Sequence, residues 1–151
     1  MCLFIKNVEP VIAEKDITCY KILKKRGKES GNWHGVTTPY RHISIGTNVL
    51  TGKQNLKATD EKIEASKLVT LLRPNKFCND EEEAKVEGGF IHTYAYPSQA
   101  QDDFSINGVF MEGYMCYECV IPKGTEYFKG KTWNGYISFA SREIKFVSRI
   151  I

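Results

Sequence analysis

Apolar and polar positions alternate most cleanly over residues 113–121. Met115, Tyr117, Cys119 and Ile121 fall on one side of an extended chain, and Cys116, Glu118 and Val120 on the other. The first set is wholly apolar or aromatic and is expected on the core. The second set puts one carboxylate, Glu118, between two small apolar residues. A carboxylate there is costly to bury unless something pairs with it or uses it. The chain offers no other carboxylate so placed. A tight Pro122-Lys123-Gly124 turn follows, then a second short strand to Lys129.

The rest of the chain is read around that strand. Residues 2–5 form an apolar run, and Val11 to Ala13 follow Pro10. Residues 16–23 alternate, with Ile17, Cys19 and Lys21 on one side and Thr18, Tyr20 and Ile22 on the other. Residues 24–31 read as a basic loop containing glycine, and 33–45 as extended, broken at Gly46. Residues 59–72 fit either a helix capped by Thr59 or, over 67–72, a strand; Pro74 ends both readings. The acidic run 79–85 reads as a solvated loop or helical turn. Gly88 and Gly89 lead into a strand that carries Phe90, His92 and Tyr94 on one face. Pro97 then opens a short helix over 98–104. Asn107-Gly108 signals a turn. Residues 130–135 read as a loop, and 136–147 as strand with a break near Ser141-Arg142. Many short strands and few helices predict one α+β domain over 1–151, rich in β, with a mixed, mostly antiparallel sheet.

Composition narrows the function classes. The net charge of +3 is too small to imply nucleic acid, which is not an expected partner. No apolar run approaches the ~18–20 residues that span a bilayer, so no membrane partner is expected. The first residues lack the charged-then-apolar layout of a signal peptide. The five cysteines, at 2, 19, 78, 116 and 119, are odd in number and widely spread. They predict reduced thiols in a cytoplasmic protein rather than a disulfide scaffold.

Several motifs invite chemistry. Cys116 and Cys119 have the spacing of a redox or zinc pair, but in a strand they point to opposite faces and are read as structural thiols. Cys2 follows Met1 as in enzymes with an N-terminal nucleophile, yet its apolar neighbours suit an ordinary strand. The basic loop over 24–31 is a solvated loop or a phosphate or nucleic-acid contact. His34 and His42 form no cluster. His92, mid-strand after two glycines, is either a core histidine or a ligand-facing one.

Two resemblances follow from short motifs. Residues 19–22 (Cys-Tyr-Lys-Ile), 89–94 (Gly-Phe-Ile-His-Thr-Tyr) with Ala100, and 119–125 with Ala140-Ser141 and Ile144 follow one order. That order resembles a small uncharacterised domain of bacterial and phage proteins, sometimes found beside pentapeptide repeats. It implies a fold and assigns no activity. A more distant likeness is to the ADP-ribosyltransferases. Tyr20-Lys21 fills their first motif, His92-Thr93-Tyr94 the second, and Cys116-Tyr117-Glu118 the third, with 120–125 matching the pattern downstream. Lys21 stands where that family has Arg or His, only Thr93 remains of its Ser-Thr-Ser, and Cys116 replaces the first Glu.

The second resemblance implies an ADP-ribosyltransferase-like core and a nucleotide ligand of the NAD or ADP-ribose type. Glu118 and Thr93 are the catalytic candidates. Lys21, Tyr20, His92, Phe90 and Tyr94 are the cofactor-binding candidates, with NAD as the cofactor and no metal. Glu118 would stabilise positive charge on the ribose as the nicotinamide bond breaks, and Lys21 would neutralise a pyrophosphate. The missing first Glu favours hydrolysis or no turnover. The alternative is a non-enzymatic accessory or interaction protein of bacterial or phage origin, binding a partner protein through the same cleft or an edge strand.

Overall fold

The computed structural model describes residues 3–6, 9–25, 28–29, 32–33, 36–37, 44–46, 55–57, 69–71, 84–86 and 90–151. The strands are β1 (Leu3–Ile5), β2 (Val11–Ile12), β3 (Ile17–Lys25), β4 (Lys28–Glu29), β5 (Asn32–Trp33), β6 (Val36–Thr37), β7 (Ser44–Gly46), β8 (Asn55–Lys57) and β9 (Val69–Leu71). They continue as β10 (Ala84–Val86), β11 (Ile91–Tyr94), β12 (Ser105–Ile106), β13 (Val109–Phe110), β14 (Tyr114–Ile121), β15 (Glu126–Lys131), β16 (Ile137–Ser141) and β17 (Glu143–Arg149). One helix, α1 (Pro97–Asp103), interrupts them among the described residues. The protein is β-rich, and the described strand pairs are antiparallel.

The main sheet runs β8-β17-β14-β3-β11-β16-β15-β1-β10-β9. Its shape follows from one short link. Only Arg142 joins β16 to β17, yet β11, β3 and β14 stand between those two strands in the hydrogen-bonded order. The sheet must therefore curl until its sixth strand, β16, returns towards its second, β17. The curl encloses a core of Cys19, Leu23, Leu56, Ile91, Met115, Tyr117, Cys119, Ile121, Phe139, Ile144 and Phe146. Alternation sends every second residue of each strand inward, which is why the contributors are odd-numbered in β3, β11, β14 and β16. In β17 they are even-numbered, because Arg142 shifts the count.

The other side of the sheet carries two smaller clusters. Helix α1 covers the first, in which Ala100 and Phe104 pack on Ile22, Tyr94 and Cys116. The second lies under β1 and β10, where Phe90 meets the Phe128 ring edge-on at 5.4 Å between centroids, beside Ala140.

The predicted elements largely appear. The helix runs from Pro97 to Asp103, with Pro at its first turn. Asn107 and Gly108, with φ of 51° and 76°, join β12 to β13 in the two-residue turn their sequence signals. The Thr125 amide donates to the Pro122 carbonyl at 3.0 Å, closing the turn in which Gly124 has φ 87°. The break at Arg142 divides β16 from β17.

Three readings are corrected. The strand before the basic loop extends to Lys25, because Lys24 and Lys25 pair with Thr37 and Val36, and Lys28–Glu29 pair with Asn32–Trp33. Ala84 and Lys85 belong to β10, paired with β1, rather than to an acidic loop. Gly130 lies within β15 rather than opening a loop. A Cβ there would stand 2.0 Å from the Phe4 carbonyl oxygen, so glycine is what lets β1 approach. Of the two readings for 67–72, the strand holds over Val69–Leu71; residues 59–66, like Cys2, His34, His42, Cys78, Gly88 and Gly89, lie outside the described residues.

Candidate functional site

The three candidate motifs fall on neighbouring strands, since β3 stands between β14 and β11. Register then decides which side chains meet. Glu118 pairs with Tyr20, Tyr117 with Lys21 and Cys119 with Cys19; across the next boundary Tyr20 pairs with Tyr94. The Lys25 amide donates to the Gly113 carbonyl at 2.8 Å, which makes 25/113 a hydrogen-bonded pair. Counting by two, 21/117 and 19/119 are hydrogen-bonded pairs, while 20/118 is a non-hydrogen-bonded one. Cα atoms in such pairs approach to about 4.5 Å and side chains lie closer. Glu118 and Tyr20 are thus in the tighter arrangement.

The candidates divide between the two faces of the sheet. Tyr20, Glu118, His92, Tyr94 and Phe90 share the face that α1 partly covers. Lys21 and Thr93 are on the opposite, inward face with Cys19 and Cys119. The two catalytic candidates, Glu118 and Thr93, therefore do not meet, and Lys21 does not join the carboxylate. Phe90 sits at the far end of the shared face, in the cluster with Phe128.

Lys21 is buried at 8% exposure, and its Nζ donates to the His92 carbonyl at 2.7 Å. Burial lowers its pKa to about 8, an effect partly opposed by the Cys119 and Cys19 sulfurs beside it. Those thiols respond in the opposite sense. Burial pushes Cys19 up to about 12, and burial first, then Cys19, drives Cys119 upward too. Neither is a ready nucleophile. Thr93 is fully buried, and its hydroxyl has no hydrogen-bond partner of ordinary geometry among the described residues, although it lies near enough to Cys19 to lower that thiol's pKa. Cys116 points to the other face, under α1, where burial pushes it up to about 11. Cys19, Cys116 and Cys119 are free, as expected of structural thiols.

On the α1 side Glu118 is half-buried, with Cys116 and Val120 flanking it along β14. It makes no hydrogen bond or ion pair with another described residue. Tyr20 has its pKa raised by burial first and by the Glu118 charge next, a sign of how close the two lie. Beyond Glu118 the face opens: Val120, Thr18 and Lys145 are half-buried or exposed, and Lys145 stands opposite Val120.

Sequence reasoning missed the polar clamp that holds α1 down. The Tyr94 hydroxyl donates to Asp103 and the Tyr136 hydroxyl to Asp102. Asn134 Nδ2 donates to Asp103 at 3.1 Å, and the Ile137 amide donates to Gln99 Oε1 at 3.2 Å. One signal was available. Two aspartates in the last turn of a helix oppose its dipole and need donors from elsewhere.

Among the described residues no three His, Cys, Asp or Glu side chains group as metal ligands, and no helix is long and apolar enough to cross a membrane. The chain matches no family model, no curated protein and no solved structure.

Proposed function

We propose that this chain is a non-enzymatic interaction protein that recognises a partner polypeptide through the open part of the face bearing Glu118 and Tyr20. One observation carries the reading: the Lys21 ammonium is spent on the His92 carbonyl on the inward face, so the cation expected to neutralise a pyrophosphate is not on the face with the carboxylate. The flank beside Glu118, with Thr18 and Val147 exposed and Val120 half-buried, suits a protein surface better than a closed catalytic pocket.

The test is a photo-crosslinking residue at Val120, with the same residue at Val11 on the distant β2 as control. A discrete adduct at Val120 that disappears in Glu118→Arg supports the reading. Adducts of equal yield at both positions count against it.

A second reading keeps a nucleotide of the NAD or ADP-ribose type on the same face. It draws on the register that sets Glu118, Tyr20 and Tyr94 side by side across three strands. In that reading the protein is a degenerate ADP-ribosyltransferase-like domain, with Tyr20, His92 and Tyr94 around the ligand. Thermal stability during titration with NAD and ADP-ribose separates the two, because a ligand that prefers the folded state must raise it. A saturable rise supports the nucleotide; a flat response supports the polypeptide partner.

A further inference from the structure

The chemistry of the partner can be read from what Glu118 lacks. A half-buried carboxylate has lost part of its hydration and is normally repaid by donors or a counter-cation. Glu118 has neither among the described residues. Lys145 is one register step away, opposite Val120, and forms no ion pair with it. Lys24 lies on the same face of β3 but sits over the Tyr114 ring, 5.5 Å from its centroid.

The surroundings favour one kind of cation. Tyr20 stands directly across from Glu118 in the close pair, while Tyr94, next along the row, is buried under α1. A carboxylate beside a tyrosine ring offers two features at once: a planar pair of acceptor oxygens and an aromatic face. Guanidinium meets both, through paired N–H donors and stacking, whereas an ammonium uses only the charge. The protein uses the stacking half of this arrangement elsewhere, with the Arg142 guanidinium 4.5 Å from the Phe90 ring centroid.

We propose that Glu118 and Tyr20 form a receptor site for an arginine side chain of the partner polypeptide. This rests on reading that face as a protein-binding surface. The sheet face around it, with Val120 and Thr18, supports the aliphatic stem of the arginine, and Tyr20 is braced on its other side by the cluster under α1.

The experiment follows backbone amide shifts while N-acetyl-arginine amide is added, with the citrulline analogue and agmatine as parallel probes. Arginine amide is expected to give a saturable change confined to residues around Tyr20, Glu118 and Ser148. Citrulline amide, equal in shape but uncharged, should bind at least about tenfold more weakly, since it loses the charge assistance of the bond. Glu118→Gln should weaken arginine amide to the same degree, and Tyr20→Leu should weaken it while leaving the carboxylate in place. No saturable change, equal binding of citrulline amide, or undiminished binding by Glu118→Gln would each overturn the proposal. Agmatine binding tenfold more tightly than arginine amide would replace the polypeptide with a free guanidino compound, and so overturn the assignment to a partner chain. Failure here is separable from failure of the broader reading. A null arginine titration with no nucleotide effect removes the arginine site alone, whereas stabilisation by NAD or ADP-ribose removes the polypeptide reading.

Discussion

Lys21 and Glu118 are neighbours by strand and opposites by face. Each is an ionisable group on the β3–β14 pair, one register step apart. Lys21 points into the curl of the sheet, where, among the described residues, its acceptor is the His92 backbone carbonyl. Glu118 points to the face that α1 covers in part, and is half-buried there. The same backbone therefore holds one charge as a structural element and presents the other to solvent. The difference teaches that two charged side chains on adjacent strands make a site only when the parity of their register agrees.

The inner face should dominate stability, and the largest effect belongs to its apolar members. Phe146 is fully buried and meets the Tyr117 ring edge-on at 5.7 Å between centroids. Phe146→Ala should cost about 3–5 kcal/mol in denaturant unfolding. A loss under 1 kcal/mol would mean that the curled core is not closed as described.

Lys21 itself should leave a signature in pH. Its folded pKa is about 8, below its ordinary 10.5. Below pH 8 both states hold the proton and this group adds no slope. Between about pH 8 and 10.5 the unfolded chain keeps a proton that the folded chain has released, so stability rises with pH. The rise is about 3 kcal/mol at most. Cys19 and Cys116 act the other way above pH 9, since the folded chain keeps protons that the unfolded chain has lost. Subtracting Lys21→Met from the parent cancels the thiols. The difference should change by about 3 kcal/mol between pH 7.5 and 10.5; a constant difference would place the amine in contact with water.

How much of this was readable beforehand is clear from particular residues. Alternation alone sorts Lys21 with Cys19, and Glu118 with Cys116, correctly in each strand. What sequence could not supply is the register between strands almost a hundred residues apart, because pairing is fixed by long-range packing and not by local pattern. One unit of slip changes which side chains face each other, and the pairing that occurs sets Lys21 against Tyr117, a core residue. Arg142 illustrates the reverse case. The change of periodicity at Ser141-Arg142 is local, so the break between β16 and β17 was legible. Its consequence, the closing of the curl, was not. Gly130 was hidden for the same reason, since the backbone it admits comes from Phe4 at the other end of the chain.

On the α1 side the clamp gives an intermediate effect. Asp103 accepts from both Tyr94 and Asn134, and the Tyr94 side chain is buried. Asp103→Ala removes the carboxylate that accepts from that phenol and from Asn134, and should cost about 1–3 kcal/mol. Hydrogen exchange would localise the loss, with α1 amides exposed faster while β17 amides keep their protection. Equal acceleration in both would tie the helix to the inner core, and the contrast between the faces would weaken.

The smallest effect should come from the group that carries the functional argument. Glu118 is half-buried and makes no hydrogen bond or ion pair among the described residues, so its charge holds no bond of the described structure together and is felt at the Tyr20 phenol. Glu118→Gln keeps the volume and removes the charge. Its stability should stay within about 0.5 kcal/mol of the parent, as for substitutions away from a packed or paired feature. Tyr20 supplies a second readout. Its phenol titrates high partly because the Glu118 carboxylate is negative beside it. The ultraviolet titration of Tyr20, isolated by comparison with Tyr20→Phe, should therefore move downward in Glu118→Gln. A variant that is stable but leaves the phenol unmoved would show that the pair is farther apart than its register implies. A variant that loses several kcal/mol would show that Glu118 is a structural residue like Lys21, and the distinction between the two faces would vanish.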